Sequence, residues 1–118
     1  MRNRLRRACI DLAELQQAQP AMTAGTEIMN TLLSGTFYFE VDKFAQCIEE
    51  LVEKRKAAYK AGDRPVDTLA KRILFTGCPS GGLVRKVGEV VEKNGGSIVC
   101  LDDCSGERTS RMEINPDA

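Results

Sequence analysis

The chain contains no histidine. That absence removes Ser-His-Asp triads, Cys-His nucleophiles and histidine-liganded zinc sites at once. It also lacks net charge: 17 basic and 17 acidic side chains cancel, so no global field draws nucleic acid or an anionic surface. No apolar run approaches membrane-spanning length, so with 42% hydrophobic residues the composition reads as soluble. No secretory signal opens the sequence, and its five cysteines are therefore expected in a reducing compartment, the cytoplasm. Their odd number, irregular spacing and lack of a CxxC pair argue against a disulfide framework. Chemistry is left to thiols, carboxylates, lysine or arginine, backbone amides, or a borrowed cofactor.

What is present fits one modest domain of 118 residues. Arg2, Arg4, Arg6 and Arg7 make a basic opening, but Asp11 and Glu14 follow at once and the apolar spacing is helical. A solvated helix face is a better reading than a transit peptide or nucleic-acid arm. Leu5, Cys9, Leu12 and Leu15 give that first helix one apolar stripe, and Pro20 is expected to end it. The spacing predicts a second helix over 23–34, with Ile28, Met29, Leu32 and Leu33 inward and Gly35 as a left-handed stop. An aromatic connection through Phe37, Tyr38 and Phe39 leads to Asp42, the expected cap of a third helix. That helix turns Phe44, Ile48, Leu51, Val52 and Tyr59 inward and closes at Gly62. Residues 63–70 are polar, contain Pro65 and read as a linker.

The period then changes. Ile73, Leu74 and Phe75 form a continuous apolar run, as expected of a strand buried on both faces. Leu83, Val84, Val87, Val90 and Val91 return to helical spacing, Asn94-Gly95-Gly96 breaks it, and Ile98 to Leu101 makes a second buried run. Strand, helix and strand over this span make a βαβ unit, with parallel strands and a right-handed crossover. The chain turns polar after Gly106 and shows no third strand, so the sheet reads as truncated.

Ligands of open parallel sheets gather beyond the carboxyl ends of the strands. Thr76-Gly77-Cys78-Pro79-Ser80-Gly81-Gly82 lies at that end of the first strand, and Asp102-Asp103-Cys104-Ser105-Gly106 at that end of the second. A thiol ahead of a helix N-terminus is biased toward thiolate, the form that ligates metal. Glycines at 77, 81 and 82 let backbone N–H groups approach an anion or cluster. Cys78 and Cys104 are thus candidates for one cleft, although Gly-rich turns also serve packing alone. Cys9, Cys47 and Cys100 sit on apolar faces and read as small core hydrophobes. Two nearby motifs fail. Six residues, not five, separate Cys78 from Arg85, so a cysteine-loop phosphatase is excluded, and Gly77, Gly81 and Gly82 do not make GxGxxG.

The ordered string Arg72-Ile73-Leu74-Phe75-Thr76-Gly77-Cys78-Pro79-Ser80-Gly81-Gly82, then Val90-Val91-Glu92-Lys93-Asn94-Gly95-Gly96, then Asp103-Cys104-Ser105-Gly106, resembles the 2-hydroxyacyl-CoA dehydratase family. It is most similar to the branch of benzoyl-CoA reductase-like subunits and double-cubane-cluster reductases. Asn3-Arg4 onward to Pro20, Gly25 to Phe39, and Asp42-Lys43-Phe44 are similar to that family's helical insert. Two departures stand out: Asp103 replaces the usual asparagine, and in dehydratase relatives the position of Cys78 is often not cysteine.

The resemblance implies an α/β fragment of a longer protein: a helical connecting segment of three helices over 1–70, then the truncated first βαβ of a Rossmann-like domain over 71–118. It implies an iron–sulfur cluster ([4Fe–4S] or double cubane) in the parent protein, with Cys104 and Cys78 as metal ligands and Gly77, Gly81 and Gly82 beside it. Thiolates suit such a cluster, and burial and hydrogen bonds set its potential. An ATP-hydrolysing activator would deliver the electron, and an acyl-CoA or similar small molecule would be reduced or dehydrated. The remainder of the parent protein or a second family subunit would complete the site. Two cysteines do not hold a cubane, so the isolated chain is expected to retain no cluster and no activity. Two alternatives remain: a non-catalytic domain that pairs with itself or a partner through its exposed sheet edge, and a thiol redox module using Cys78 and Cys104.

Overall fold

The computed structural model describes residues 2–78, 82–104 and 106–115. Three helices come first: α1 (Arg2–Glu14), α2 (Gly25–Gly35) and α3 (Val41–Lys60). Strand β1 (Lys71–Thr76), helix α4 (Gly82–Lys93) and strand β2 (Gly96–Asp102) follow, and a 3-10 turn (Glu107–Thr109) is the last element among the described residues. The two strands are parallel neighbours, so the expected α/β class, helices and then a partial parallel β unit, is what the chain adopts.

Amphipathic spacing builds the helical side. Ala8, Cys9 and Leu12 of α1 meet Ile28 and Met29 of α2 and Phe44, Ile48 and Val52 of α3. Val84 of α4 and Ile98 and Leu101 of β2 enter the same core. Arg4 clamps α1 to α3 through a two-pronged contact with Glu49, at 2.9 and 2.6 Å. Among the described residues, no helix is long and apolar enough to cross a membrane.

Helix α2 lacks a side-chain cap of its own. Its first turn is capped from the far end of α4: Glu92 accepts Gly25 N–H at 2.7 Å, Thr26 N–H at 3.3 Å and the Thr26 hydroxyl at 2.5 Å. A carboxylate there satisfies orphan amides and meets the positive end of the helix dipole. The same turn lies against β2, and that contact needs glycine, since a Cβ on Gly25 would lie 2.2 Å from the Ile98 carbonyl oxygen.

Several expectations change. Helix α1 stops at Glu14, well before Pro20, because the chain turns and its carbonyls find another donor: Arg72 binds the Gln16 and Ala18 oxygens at 2.8 and 3.0 Å. Gly35 is the last helical residue of α2, not a left-handed stop. Its hydrogen makes room for Phe44, whose ring a Cβ would approach to 2.4 Å. The N-cap of α3 is Glu40, which puts Asp42 in the first turn. Gly62 does close α3 with a φ of 99°.

The larger correction concerns β1. It is not buried on both faces: Leu74 is 57% exposed, because the helices pack on β2 and leave that side of β1 open. Pairing runs in step from Lys71↔Gly96 to Ile73↔Ile98 and then slips, with Leu74 opposite Cys100. Val99 is the extra residue of that bulge. In α4 only Val84 and Gly88 are fully buried, whereas Leu83, Val87 and Val90 form an exposed stripe.

Candidate functional site

Parallel pairing puts the carboxyl ends of β1 and β2 side by side, with Thr76 opposite Asp102. The Thr76 hydroxyl lies 3.2 Å from the Asp102 carbonyl oxygen and 3.4 Å from its carboxylate. Beyond Thr76 the chain turns through Gly77, whose φ of 143° is a conformation that L side chains rarely adopt. Cys78 follows and is exposed. Gly82 opens α4 and is also exposed, with open space where a Cβ would stand. The proposed backbone contact at Gly81 lies outside the described residues.

The β2 turn doubles back. A Cβ on Gly106 would sit 2.4 Å from the Leu101 carbonyl oxygen, so only glycine lets the turn lie so close to its own strand. Glu107 then accepts the Leu101 N–H at 3.3 Å. Asp102 meets Arg108 at 2.9 and 3.2 Å, and this guanidinium holds its carboxyl below the usual aspartate range, helped by Arg111 and Thr76. Asp103 is 2% exposed and the adjacent Cys104 is exposed.

Cys104 borders a cavity of about 340 Å³ between this turn and the helices. Leu5, Leu32, Val41 and Phe44 give it apolar walls, and Arg2, Arg6, Thr109 and Ser110 a polar side. Cys9 lines it as well. Burial pushes the Cys9 thiol up, against the Ser110 hydrogen bond and the Arg6 charge. Arg6 donates to the Thr109 carbonyl oxygen, and its buried Nε has no acceptor among the described residues. The cavity thus combines an exposed thiol, a protonated buried thiol and an underused guanidinium, and suits an apolar group bearing negative charge.

Cys78 and Cys104 therefore end neighbouring strands, but Cys78 does not line the cavity beside Cys104. Sequence reasoning missed Cys9, Arg2 and Arg6 as neighbours of Cys104. The signal was their shared face of α1, at positions 2, 5/6 and 9, but nothing local says what that face meets. Among the described residues no three Cys, His, Asp or Glu side chains are grouped to hold a metal ion. The residues present do not fit a complete cubane site, which takes four thiolates.

A helical layer packed on a parallel βαβ unit, with a cysteine turn at the carboxyl end of each strand, defines an α/β protein with a thiol-bearing strand-end site. The match to known proteins is specific: residues 1–118 match the family described as 2-hydroxyglutaryl-CoA dehydratase, D-component, and the chain belongs to that family. It is 31% identical over 112 residues to the "Putative dehydratase subunit YjiM" of Escherichia coli (strain K12), an overlap covering 95% of this chain and 29% of that protein. The chain thus spans about three tenths of the length of the curated relative it matches.

Proposed function

We propose that this chain supplies one wall of the iron–sulfur site of a dehydratase- or reductase-type protein acting on an acyl-CoA or similar small molecule. Cys104 is the first candidate ligand and Cys78 the second, with the amides around Gly77, Gly81 and Gly82 placed to approach the cluster. The remaining ligands come from outside this chain, from the rest of a longer protein or a second family subunit. In this reading, 1–70 is the connecting helical segment and 71–118 the first βαβ of a Rossmann-like domain in a cytoplasmic, oxygen-sensitive protein. A separate ATP-hydrolysing activator supplies its electron. The isolated chain holds no cluster and turns over nothing.

The observation that carries this reading is the pairing of Thr76 with Asp102, which sets two cysteine turns at one end of adjacent parallel strands. Family membership supplies the dehydratase chemistry. The test is Cys104→Ser in a longer family protein carrying this segment, purified without oxygen and analysed for iron, sulfide and visible absorption. Loss of iron is expected, and an unchanged iron content would sink the assignment. Stoichiometric iron in the 118-residue chain alone would overturn its proposed inactivity.

A second reading, association through the sheet without catalysis, is favoured by the exposed Leu74 on β1. A well-folded, iron-free assembly whose size Leu74→Lys reduces would support it.

A further inference from the structure

Helix α1 opens with four arginines, and the structure treats them in two ways. Arg4 and Arg7 are paired, with Glu49 and Glu113. Arg2 and Arg6, one turn apart, have no ion-pair partner among the described residues. Both border the cavity of about 340 Å³ beside Cys104. Arg6 donates to the Thr109 carbonyl oxygen, but its buried Nε finds no acceptor among the described residues. A buried donor left unmatched costs free energy, and a ligand that accepts from it removes that cost.

The rest of the cavity fits this need. No carboxylate lines it among the described residues, so nothing on its walls repels an anion. Cys9 adds no charge either, since burial keeps its thiol protonated. Leu5, Leu32, Val41 and Phe44 complete the walls with apolar surface. A space of about 340 Å³ is at the small end of ligand pockets, which favours a small occupant. Two free cations at one side and apolar walls at the other define a ligand with a charged head and an apolar body.

We propose that this cavity binds a short-chain carboxylate, its head on the Arg2 and Arg6 guanidinium groups and its chain against Leu5, Leu32, Val41 and Phe44. The planar guanidinium fork matches a carboxylate, and such charge-assisted bonds are the strong ones. The exposed Cys104 thiol borders the same cavity, so an occupied site shields it. The site goes beyond the cluster reading. It needs no iron, and its failure would leave the assignment of Cys104 as a ligand where it stands.

Calorimetric titration of the 118-residue chain with pentanoate tests it. Saturable one-to-one binding is expected. Pentanamide keeps the chain without the charge and should bind at least about tenfold more weakly. Acetate keeps the charge without the chain and should lose at least about as much. Arg6→Gln and Arg2→Gln, the latter on an exposed side chain, should each weaken pentanoate roughly tenfold with circular dichroism unchanged. Pentanoate should also slow iodoacetamide labelling of Cys104, while Cys47 and Cys78, exposed but away from the cavity, keep their rates. Absence of binding overturns the proposal, as does equal affinity for pentanoate and pentanamide or binding indifferent to Arg2→Gln. Saturation that leaves Cys104 unprotected, or slows all three thiols alike, would place the ligand elsewhere and end it too.

Discussion

The two strands of one small sheet live in different surroundings. Strand β2 carries Ile98 and Leu101 into the shared core, with α2 and α4 packed against it. Strand β1 hydrogen-bonds to β2 along its length, yet Leu74 looks into solvent. The glycines mark the same division. Added methyl groups on Gly25 and Gly106 would collide with β2 itself and one on Gly96 with Val91 of α4 and Ile73 of β1, while one on Gly77, after β1, would meet nothing within 4 Å. Much of the motif string that resembles the dehydratase family therefore has a packing reason on the β2 side. On the β1 side the reason for glycine at Gly77 is its φ of 143° rather than close packing.

Substitutions can break that comparison. The largest loss is expected at the fully buried Leu12, where Leu12→Ala should lower the unfolding free energy by about 2–5 kcal/mol in urea titrations. Gly25→Ala, pushing a methyl group into the Ile98 carbonyl, should cost about 1–3 kcal/mol in the same assay, and a neutral result would mean that α2 and β2 are not so close. Glu92→Ala uncaps α2 and should cost about 1–2 kcal/mol, with faster amide exchange at Gly25 and Thr26.

A smaller effect concerns Glu27. Burial opposes its charge, but hydrogen bonds from Arg55 and Thr23 and the Arg55 charge outweigh this and hold its carboxyl below the ordinary value of 4.5. A carboxyl depressed in the folded state contributes stability above its unfolded value, and that contribution is lost as pH falls through the folded one. Glu27→Gln should thus flatten the acid limb of the stability profile below 4.5, and a superimposable limb would remove the pair from the account. The smallest change is expected at β1: Leu74→Ser should shift stability by no more than about 0.5 kcal/mol. A loss there comparable to Leu12→Ala would erase the difference between the strands.

Much of this was legible in the chain. Helical stripes, the linker and the change of period gave the element order, and the strand–turn–helix–strand string gave the family. What escaped depended on partners distant in sequence. A glycine ending a helix looks the same whether it needs positive φ or proximity, and at Gly35 the decision belongs to Phe44, nine positions on. Ile73-Leu74-Phe75 is a continuous run, but whether its outer face is covered depends on what packs there. In α4 the rows 83, 87, 90 and 84, 88, 91 both have helical spacing. Gly88, packed near Thr26, Met29 and Ile98, marks the inner row, a cue that apolar counting overlooks. At the site, strand ends and cysteines were readable, whereas the cavity joining Cys104 to Cys9 and Arg6 exists only once α1 docks.

The Glu92 cap also has a consequence in time. The amide that it holds at Gly25 lies 67 residues earlier in the chain. At about 5–20 residues per second, a ribosome needs roughly 3–13 s to add that stretch. During that interval the first turn of α2 waits without its carboxylate. The second helix is therefore secured only when the crossover helix arrives, which ties α2 and α4 to one folding step.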